Sequence, residues 1–215
     1  DFTCFSFYAT KNITTGEGGM ITTNNKKMAE KIRILSLHGI TRDAWGRYGE
    51  KGYHHWDILY PGYKYNMPDI QAAIWIQQLK KIEKFYKIRK EYTALYNEAF
   101  KEIPELITLT EKENIRHAYH LYVIIVKTES LKADRDTIMN AIQAEGIGIG
   151  IHFRTIHIHP YYKRRFGFSK GDYPNAEYAS ERVISLPLYP RMEEKDVRRV
   201  IKIVKKIIEE NSRMR

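Results

Sequence analysis

The sequence predicts an α/β protein of two parts joined by a long helix, and three observations predict it. Short runs rich in aromatic and β-branched residues alternate with segments whose apolar residues recur at helical spacing. A run of more than thirty residues after Pro68 keeps helical periodicity throughout. The segment 193–210 repeats that periodicity, so strands and helices alternate along most of the chain.

The first part is predicted to run strand, turn, strand, helix. Residues 3–8 and 19–23 favour strands, and the turn between them is rich in glycine. An asparagine at 24 or 25 is placed to cap a helix over 26–37, and Gly39 follows as a residue that can end it.

A long irregular segment, 41–61, comes next and holds several aromatic residues among glycines. Loops of this length usually have a function or lie against a partner. Trp45 and Trp56 would therefore either cover a binding cleft or fill a contact between subunits.

Pro68 opens a helix that is predicted to continue to Phe100. Such a helix is too long for one small core, so we expect it to connect two domains. The boundaries predicted from this are 1–66, 67–104 and 105–215. The buried stripe of the helix is predicted to comprise Ile70, Ala73, Ile74, Leu79, Ile82, Tyr86, Tyr92 and Leu95.

The second part is predicted to be a small α/β domain. Strands are expected over 120–126 and 147–153, with helices over 135–143 and 193–210.

Composition limits the class of protein. The chain has 215 residues, 43% hydrophobic and 29% charged, and one cysteine, Cys4, so an internal disulfide is excluded and a cytoplasmic setting is expected. Its apolar runs are too short to cross a bilayer, which predicts no membrane partner. The net charge of +10 admits anionic partners, from phosphorylated cofactors to nucleic acid, without choosing among them.

Lys11 stands where an aromatic strand gives way to small and polar residues. A lysine held in such a place and shielded from water has a lowered pKa and can attack a carbonyl group. Ser6, at the end of the same strand, carries a hydroxyl suited to a phosphate oxygen. From the spacing alone, the pattern is more typical of a solvated lysine in a turn.

The run FSFYATKNITTGEGG, residues 5–19, resembles the cofactor-lysine motif of the DegT-type nucleotide-sugar aminotransferases. These enzymes use pyridoxal 5'-phosphate and have the aspartate-aminotransferase fold, fold type I. Within the family, the chain is most similar to enzymes that aminate UDP-linked 4-keto sugars, such as the UDP-4-amino-4-deoxy-L-arabinose–oxoglutarate aminotransferase of lipid A modification. Further blocks of resemblance follow in order at 37–39, 61–73, 120–123, 146–154 and 185–190.

The resemblance implies a set of cofactor contacts. Lys11 would carry pyridoxal phosphate as a Schiff base and act as the general base and acid, and Ser6 would bind the cofactor phosphate. The Gly-Tyr-Lys-Tyr-Asn-Met block would approach the phosphate of the neighbouring subunit. Lys64 stands where the family commonly has asparagine, so either Lys64 or Asn66 would make this contact.

The resemblance also implies the reaction and its partners. An amino group would pass from L-glutamate to a nucleotide-linked 4-keto sugar, UDP-linked, for cell-surface polysaccharide or lipopolysaccharide synthesis. A homodimer with shared active sites is expected. The sugar-nucleotide contacts implied are His152, Arg154, His157 and Tyr161.

Family members place further cofactor contacts upstream of the lysine strand, in a first half that a chain starting at Asp1 lacks. The chain is therefore expected to be the end of the large domain plus the small C-terminal domain. A separate N-terminal chain or a longer gene product would supply the rest. The alternative is a non-catalytic remnant or regulatory subunit of the same fold.

Two other clusters point elsewhere. His152, His157 and His159 lie close in sequence, but no cysteine or carboxylate nearby completes a metal site, so no metal is expected. The basic run 163–165 follows two tyrosines and is more typical of a solvated loop than of a nucleic-acid surface.

Overall fold

A computed structural model describes residues 1–40 and 57–213 of the chain. The chain divides into two compact units, Asp1–Ile82 and Glu83–Arg215. Trp45, Trp56 and most of the segment 41–61 lie outside the described residues. Within the described ranges, no helix has the length and apolar character needed to span a membrane.

The described residues of the first unit form two strands and two helices: β1 (Thr3–Ser6), β2 (Gly19–Thr22), α1 (Lys26–Ser36) and α2 (Asp69–Leu79). The strands pair antiparallel, with Thr3 opposite Thr22 and Ser6 opposite Gly19. Both strands and α1 lie where the sequence predicts them. β1 ends two residues earlier than expected, because the chain after Ser6 turns into a loop.

The two ends of α1 confirm the predicted signals. The Asn25 side chain accepts the Met28 N–H at 3.1 Å, which caps the first turn. Gly39 has a φ of +71°, and its N–H donates to the Ile34 carbonyl at 2.9 Å. This bond closes the last turn, and the left-handed conformation is one that glycine adopts at little cost.

The prediction of one continuous helix after Pro68 is wrong, because the structure has two. The structure has α2 and then α3 (Ile82–Phe100), with Lys80 and Lys81 between them. The Lys81 N–H bonds to the Gln78 carbonyl three residues back, at 3.0 Å, which tightens the turn and interrupts the α-helical ladder. Lysine favours helices, so the sequence carried no signal for this break. The domain boundaries drawn from that helix stay a prediction.

The predicted apolar stripe divides at the same point. On α2 its residues are exposed, with Ile70 at 77% and Ile74 at 44%, and α2 buries no residue in this chain. On α3, Tyr86, Tyr92 and Leu95 pack against the core of the second unit.

The second unit comprises α3 and seven further elements: β3 (Leu106–Thr108), β4 (Tyr122–Val126), α4 (Arg135–Ala144), α5 (Pro160–Phe166), α6 (Pro174–Ser180), β5 (Val183–Leu186) and α7 (Glu194–Asn211). The three strands form an antiparallel sheet in the order β3-β4-β5. The predicted helices at 135 and 193 and the strand before 126 are present.

The predicted strand 147–153 is wrong. Of this segment, only Gly150 pairs with the sheet, through an isolated bridge to Ser185. Glycines at 146, 148 and 150 give a strand no side chain to pack, and Gly146 has a φ of +76°. The segment therefore meets the edge strand of the sheet at one residue and is otherwise a loop.

The core of the second unit lies between the sheet and its helices. β4 alternates buried and half-buried residues, whereas all four residues of β5 are buried. α7 contributes buried residues at helical spacing: Val197, Val200, Ile203, Val204, Ile207 and Ile208.

Arg89, on α3, is 4% exposed and ties three chain segments together. Its Nη1 donates to the carbonyls of Tyr119, His120 and Leu188 at 3.1, 3.1 and 2.7 Å. Burial lowers the pKa of the guanidinium from its usual value, so these carbonyls supply the compensation for burying the charge.

We expect Arg89→Met to lower the free energy of unfolding by about 3 kcal/mol or more, because buried carbonyls lose a charged donor. Urea unfolding followed by circular dichroism measures this. Arg116→Met is the control, since the Arg116 side chain is 61% exposed in its ion pair with Glu83. Its effect should be much smaller, and equal effects would contradict the role given to Arg89.

Candidate functional site

Lys11 lies in a loop that closes on one buried residue, Phe7. The Phe7 N–H donates to the Gly18 carbonyl at 2.8 Å, and the Phe7 carbonyl accepts the Thr15 N–H at 3.0 Å. The Thr14 hydroxyl donates to the same carbonyl at 2.9 Å. Phe7 is 3% exposed, whereas the Lys11 side chain is half-buried. The loop that carries the Lys11 amine is therefore anchored at the buried Phe7.

Helix α2 supports this loop. The Trp75 ring lies 5.5 Å from the Phe7 ring, and the Gln78 Oε1 accepts the Thr14 N–H at 3.4 Å. Ser6 is exposed at the end of β1, where its Oγ accepts the Tyr8 N–H at 3.4 Å. That bond uses a lone pair, so the hydroxyl hydrogen can still be donated.

The segment 62–67 is fixed against the end of α1 by backbone contacts. The Tyr63 N–H donates to the Leu35 carbonyl at 2.7 Å, and the Tyr65 N–H to the Ser36 carbonyl at 2.8 Å. Gly39 and Gly62 bring the two backbones together, since a Cβ on Gly62 would lie 2.0 Å from the Gly39 nitrogen. Only glycine permits this approach.

The side chains of Lys64 and Asn66, the two candidates for the phosphate contact, lie side by side. The Lys64 Nζ donates to the Asn66 Oδ1 at 2.5 Å. The Tyr63 and Tyr65 rings stack on each other, 4.9 Å apart and nearly parallel at 3°. In an extended segment, alternate residues face opposite sides, so one side carries the polar pair and the other the rings.

The same segment reaches the lysine loop within the first unit. A Cβ placed on Gly18 would lie 3.4 Å from the Met67 Cε, so the end of the loop packs against Met67. Within the first unit, the end of the Lys11 loop and the end of the segment 62–67 are thus in contact.

The remaining predicted site residues lie in the second unit, on or beside the loop that follows Gly150. His152 is exposed, and its Nδ1 is hydrogen-bonded to the Ser185 Oγ at 2.8 Å. Arg154 is exposed. Tyr161 lies on α5, 60% exposed, with its ring 5.3 Å from that of Tyr162.

His157 is 5% exposed, and both of its ring nitrogens are engaged. Its Nδ1 lies 2.9 Å from the Thr155 Oγ1, and its Nε2 lies 2.7 Å from the Glu177 Oε1. The Glu177 Oε1 also accepts the Gly171 N–H at 2.7 Å. These two donors lower the pKa of the Glu177 carboxyl, the Gly171 N–H more strongly than His157.

Two cavities of about 460 and 470 Å³ flank this loop. The polar cavity is lined by the cations Arg135, Arg154, Lys163 and Lys170 and by the acids Asp136, Glu177 and Glu181. The aromatic cavity is lined mainly by Phe153, Ile156, His157, Phe168 and Tyr173. Arg154, Thr155 and Ser180 line both. Of the predicted contacts, the structure brings Arg154 and His157 to these cavities, and Tyr161 is not among their lining residues.

Sequence reasoning missed Glu177, Ser180 and Ser185, which hold His157, Thr155 and His152. Each partner lies 20 to 33 residues away along the chain, so no local spacing indicates the pairing. Across residues 1–40 and 57–213, the structure shows no group of three His, Cys, Asp or Glu residues that could hold a metal ion.

The stability contributed by Glu177 should depend on pH. Because folding lowers its pKa, the contribution is full above the unfolded-state value of about 4.3 and is lost as the pH falls through the folded value. We expect the difference in unfolding free energy between the unsubstituted chain and Glu177→Gln to stay constant from pH 7 to 5. It should shrink towards pH 3. Urea titrations across this range measure it, and a difference that does not change with pH would contradict the assignment.

Comparison with solved structures defines the class of protein. The chain superposes on Spr1654 of Streptococcus pneumoniae, described as a candidate sugar aminotransferase and solved in its PMP-form, with a TM-score of 0.88 and 32% identity. The match covers 98% of this chain and 53% of that one. The same protein was solved in its PLP-form, at a TM-score of 0.86. The fold is thus fold type I of the pyridoxal phosphate-dependent transferases, as predicted.

The family model of the DegT/DnrJ/EryC1/StrS aminotransferases matches residues 1–205. The chain therefore belongs to this family, which confirms the resemblance read from the sequence. Pyridoxal phosphate is the cofactor predicted for the family, in agreement with the PLP- and PMP-forms of Spr1654.

Two curated relatives extend the comparison. The chain is 53% identical over 211 residues to MJ1066 of Methanocaldococcus jannaschii, which covers 98% of the chain and 55% of the relative. It is 46% identical over 209 residues to SpsC of Bacillus subtilis, a spore coat polysaccharide biosynthesis protein, covering 97% and 54%. The chain thus spans about half the length of the curated relatives it matches.

Proposed function

We propose that this chain forms part of a pyridoxal phosphate-dependent aminotransferase, which moves an amino group from L-glutamate to a nucleotide-linked 4-keto sugar. The observation that carries the proposal is the Lys11 loop, closed on Phe7 and packed at its end against Met67. The spore coat role of SpsC supports a product used in cell-surface polysaccharide. More specifically, we propose that the sugar substrate is linked to UDP and that the product is used in lipopolysaccharide synthesis.

The residues of the first unit fit the cofactor. Lys11 would attach to its aldehyde carbon through Nζ, and the Ser6 hydroxyl would donate to its phosphate. Lys64 keeps two further N–H donors after bonding Asn66, and the Asn66 amide nitrogen keeps its own, so both could donate together to the phosphate of the neighbouring subunit's cofactor. The bound cofactor supplies an electron-withdrawing ring, and Lys11 then moves a proton to and from the substrate carbon.

The second unit would hold the sugar nucleotide. The polar cavity offers guanidinium and ammonium groups for phosphate oxygens, and the aromatic cavity offers rings against which a base can pack. Arg154 lines both cavities, so it is the strongest candidate contact. His152 and Tyr161 stay proposed contacts at the edge of this region.

The whole enzyme would be a cytoplasmic homodimer in which the segment holding Lys64 serves the neighbouring subunit's cofactor. Residues equivalent to the part of the relatives that this chain does not cover would complete each site. The alternative is a non-catalytic subunit of the same fold. It would be consistent with a chain that spans about half of SpsC and MJ1066.

The experiment is borohydride reduction with pyridoxal phosphate, followed by intact mass and peptide mapping. The chain is tested alone and co-expressed with the part of SpsC that it does not cover. We expect a stable cofactor adduct on Lys11 in the co-expressed sample. Modification spread over exposed lysines such as Lys26, with none on Lys11, would support the non-catalytic alternative.

A further inference from the structure

We propose that His157 and Glu177 form a positioning pair that holds Arg154 for the substrate, and that His157 itself makes no hydrogen bond to the sugar nucleotide. The inference rests on the proposed function for its substrate. Its structural part stands on the contacts of the second unit alone.

The His157 ring has no nitrogen left for a ligand. Neutral imidazole has one donor and one acceptor nitrogen, and both lie within 2.9 Å of a protein oxygen. The ring packs 4.8 Å from the ring of Tyr173, and only 5% of the residue is exposed. A direct hydrogen bond to a ligand would have to break one of these buried bonds, which carries a cost without a matching gain.

Glu177 connects this ring to α6. It is 7% exposed, and its Oε1 receives both the His157 Nε2 and the Gly171 N–H. Its lowered pKa keeps the carboxylate charged at neutral pH, which strengthens both hydrogen bonds. The ring is therefore held from one side by a short helix and the turn that precedes it.

Thr155 transmits this restraint to Arg154. Its Oγ1 bonds the His157 Nδ1 at 2.9 Å, and its N–H donates to the Ser180 Oγ, at the end of α6, at 2.9 Å. Arg154 is the residue before Thr155, so the backbone that carries the guanidinium is fixed at its next position. Loosening this loop would misplace Arg154 between the two cavities, and small misplacements of a binding group are costly.

The test is a double-mutant cycle on the full chain, with UDP as the probe. His157→Phe keeps an aromatic ring against Tyr173 but removes both nitrogens, and Glu177→Gln is the second variant should the first not fold. UDP affinity is measured by calorimetry, and Thr155 amide exchange by NMR. Ile142→Val, a conservative change in the core of the same unit, is the control.

We expect either variant to weaken UDP binding about tenfold and to speed Thr155 exchange about tenfold, while Ile142→Val changes neither. In an Arg154→Ala background, the same variants should cause no further loss of affinity. An equal additional loss in that background, or unchanged Thr155 exchange, overturns the positioning role. If UDP binds neither to the unsubstituted chain nor to the chain co-expressed with the part of SpsC that it does not cover, the sugar-nucleotide part of the proposed function fails. Thr155 exchange alone then decides whether the pair holds the loop.

Discussion

Replacing Lys11 by alanine should lower the rate of amino transfer by about a thousandfold or more. Under the proposed function, the substitution would remove both the amine that attaches the cofactor and the group that carries the proton, and each role alone is worth orders of magnitude. The rate is measured with L-glutamate and a UDP-linked 4-keto sugar. The enzyme is the chain co-expressed with the part of SpsC that it does not cover.

Two matched variants separate chemistry from charge. Lys11→Arg keeps the positive charge but has no amine that can attach the cofactor at neutral pH, so it should be as inactive as alanine. Lys26→Ala removes an exposed lysine at the start of α1 and should leave the rate unchanged. A Lys11→Ala enzyme that keeps most of its rate would mean that Lys11 is an ordinary turn lysine.

Gly39→Ala should be among the most destabilising single substitutions in the first unit, at about 3 kcal/mol or more. A Cβ at this position would lie 1.8 Å from the Tyr60 carbonyl oxygen, a distance that only a backbone shift can relieve. The left-handed φ of +71° adds a cost of about 1 kcal/mol for any other residue. Denaturant unfolding, followed by tryptophan fluorescence that includes Trp75, measures the loss of unfolding free energy.

Gly16→Ala isolates the two contributions to this loss. Gly16 also has a positive φ, +81°, but a Cβ added there would meet no atom within 4 Å. Its substitution should therefore cost only the backbone strain, about 1 kcal/mol. Similar losses at both positions would show that the contact with residue 60 gives way easily.

The parts of the fold that the sequence predicts are those set by local chemistry. Asn25 caps α1 through a side chain three residues from its donor, and the stripe on α7 repeats within one helix. The break at Lys80 was hidden, since two lysines are compatible with a continuous helix. The loop replacing the strand 147–153 depends on how glycine-rich backbone meets Ser185, a contact 35 residues away that periodicity does not encode.

The site divides in the same way. Lys11 and Ser6 could be proposed as cofactor residues because the whole motif lies in one stretch of sequence. The contacts of His157 could not, because Glu177 reaches it from a short helix 20 residues later. The hydrogen bond between Lys64 and Asn66 could not be predicted either, because it depends on the extended conformation of the segment.

Arg89 also constrains the order in which the protein can mature on the ribosome. Its acceptor at Leu188 follows it by 99 residues, which takes roughly 5 to 20 s to translate at the usual rates. Until then the guanidinium has at most the acceptors at Tyr119 and His120, so the burial of its charge is less fully compensated. A nascent chain halted before Leu188 would hold α3 and β4 without this contact, and would stay a substrate for chaperones and proteases.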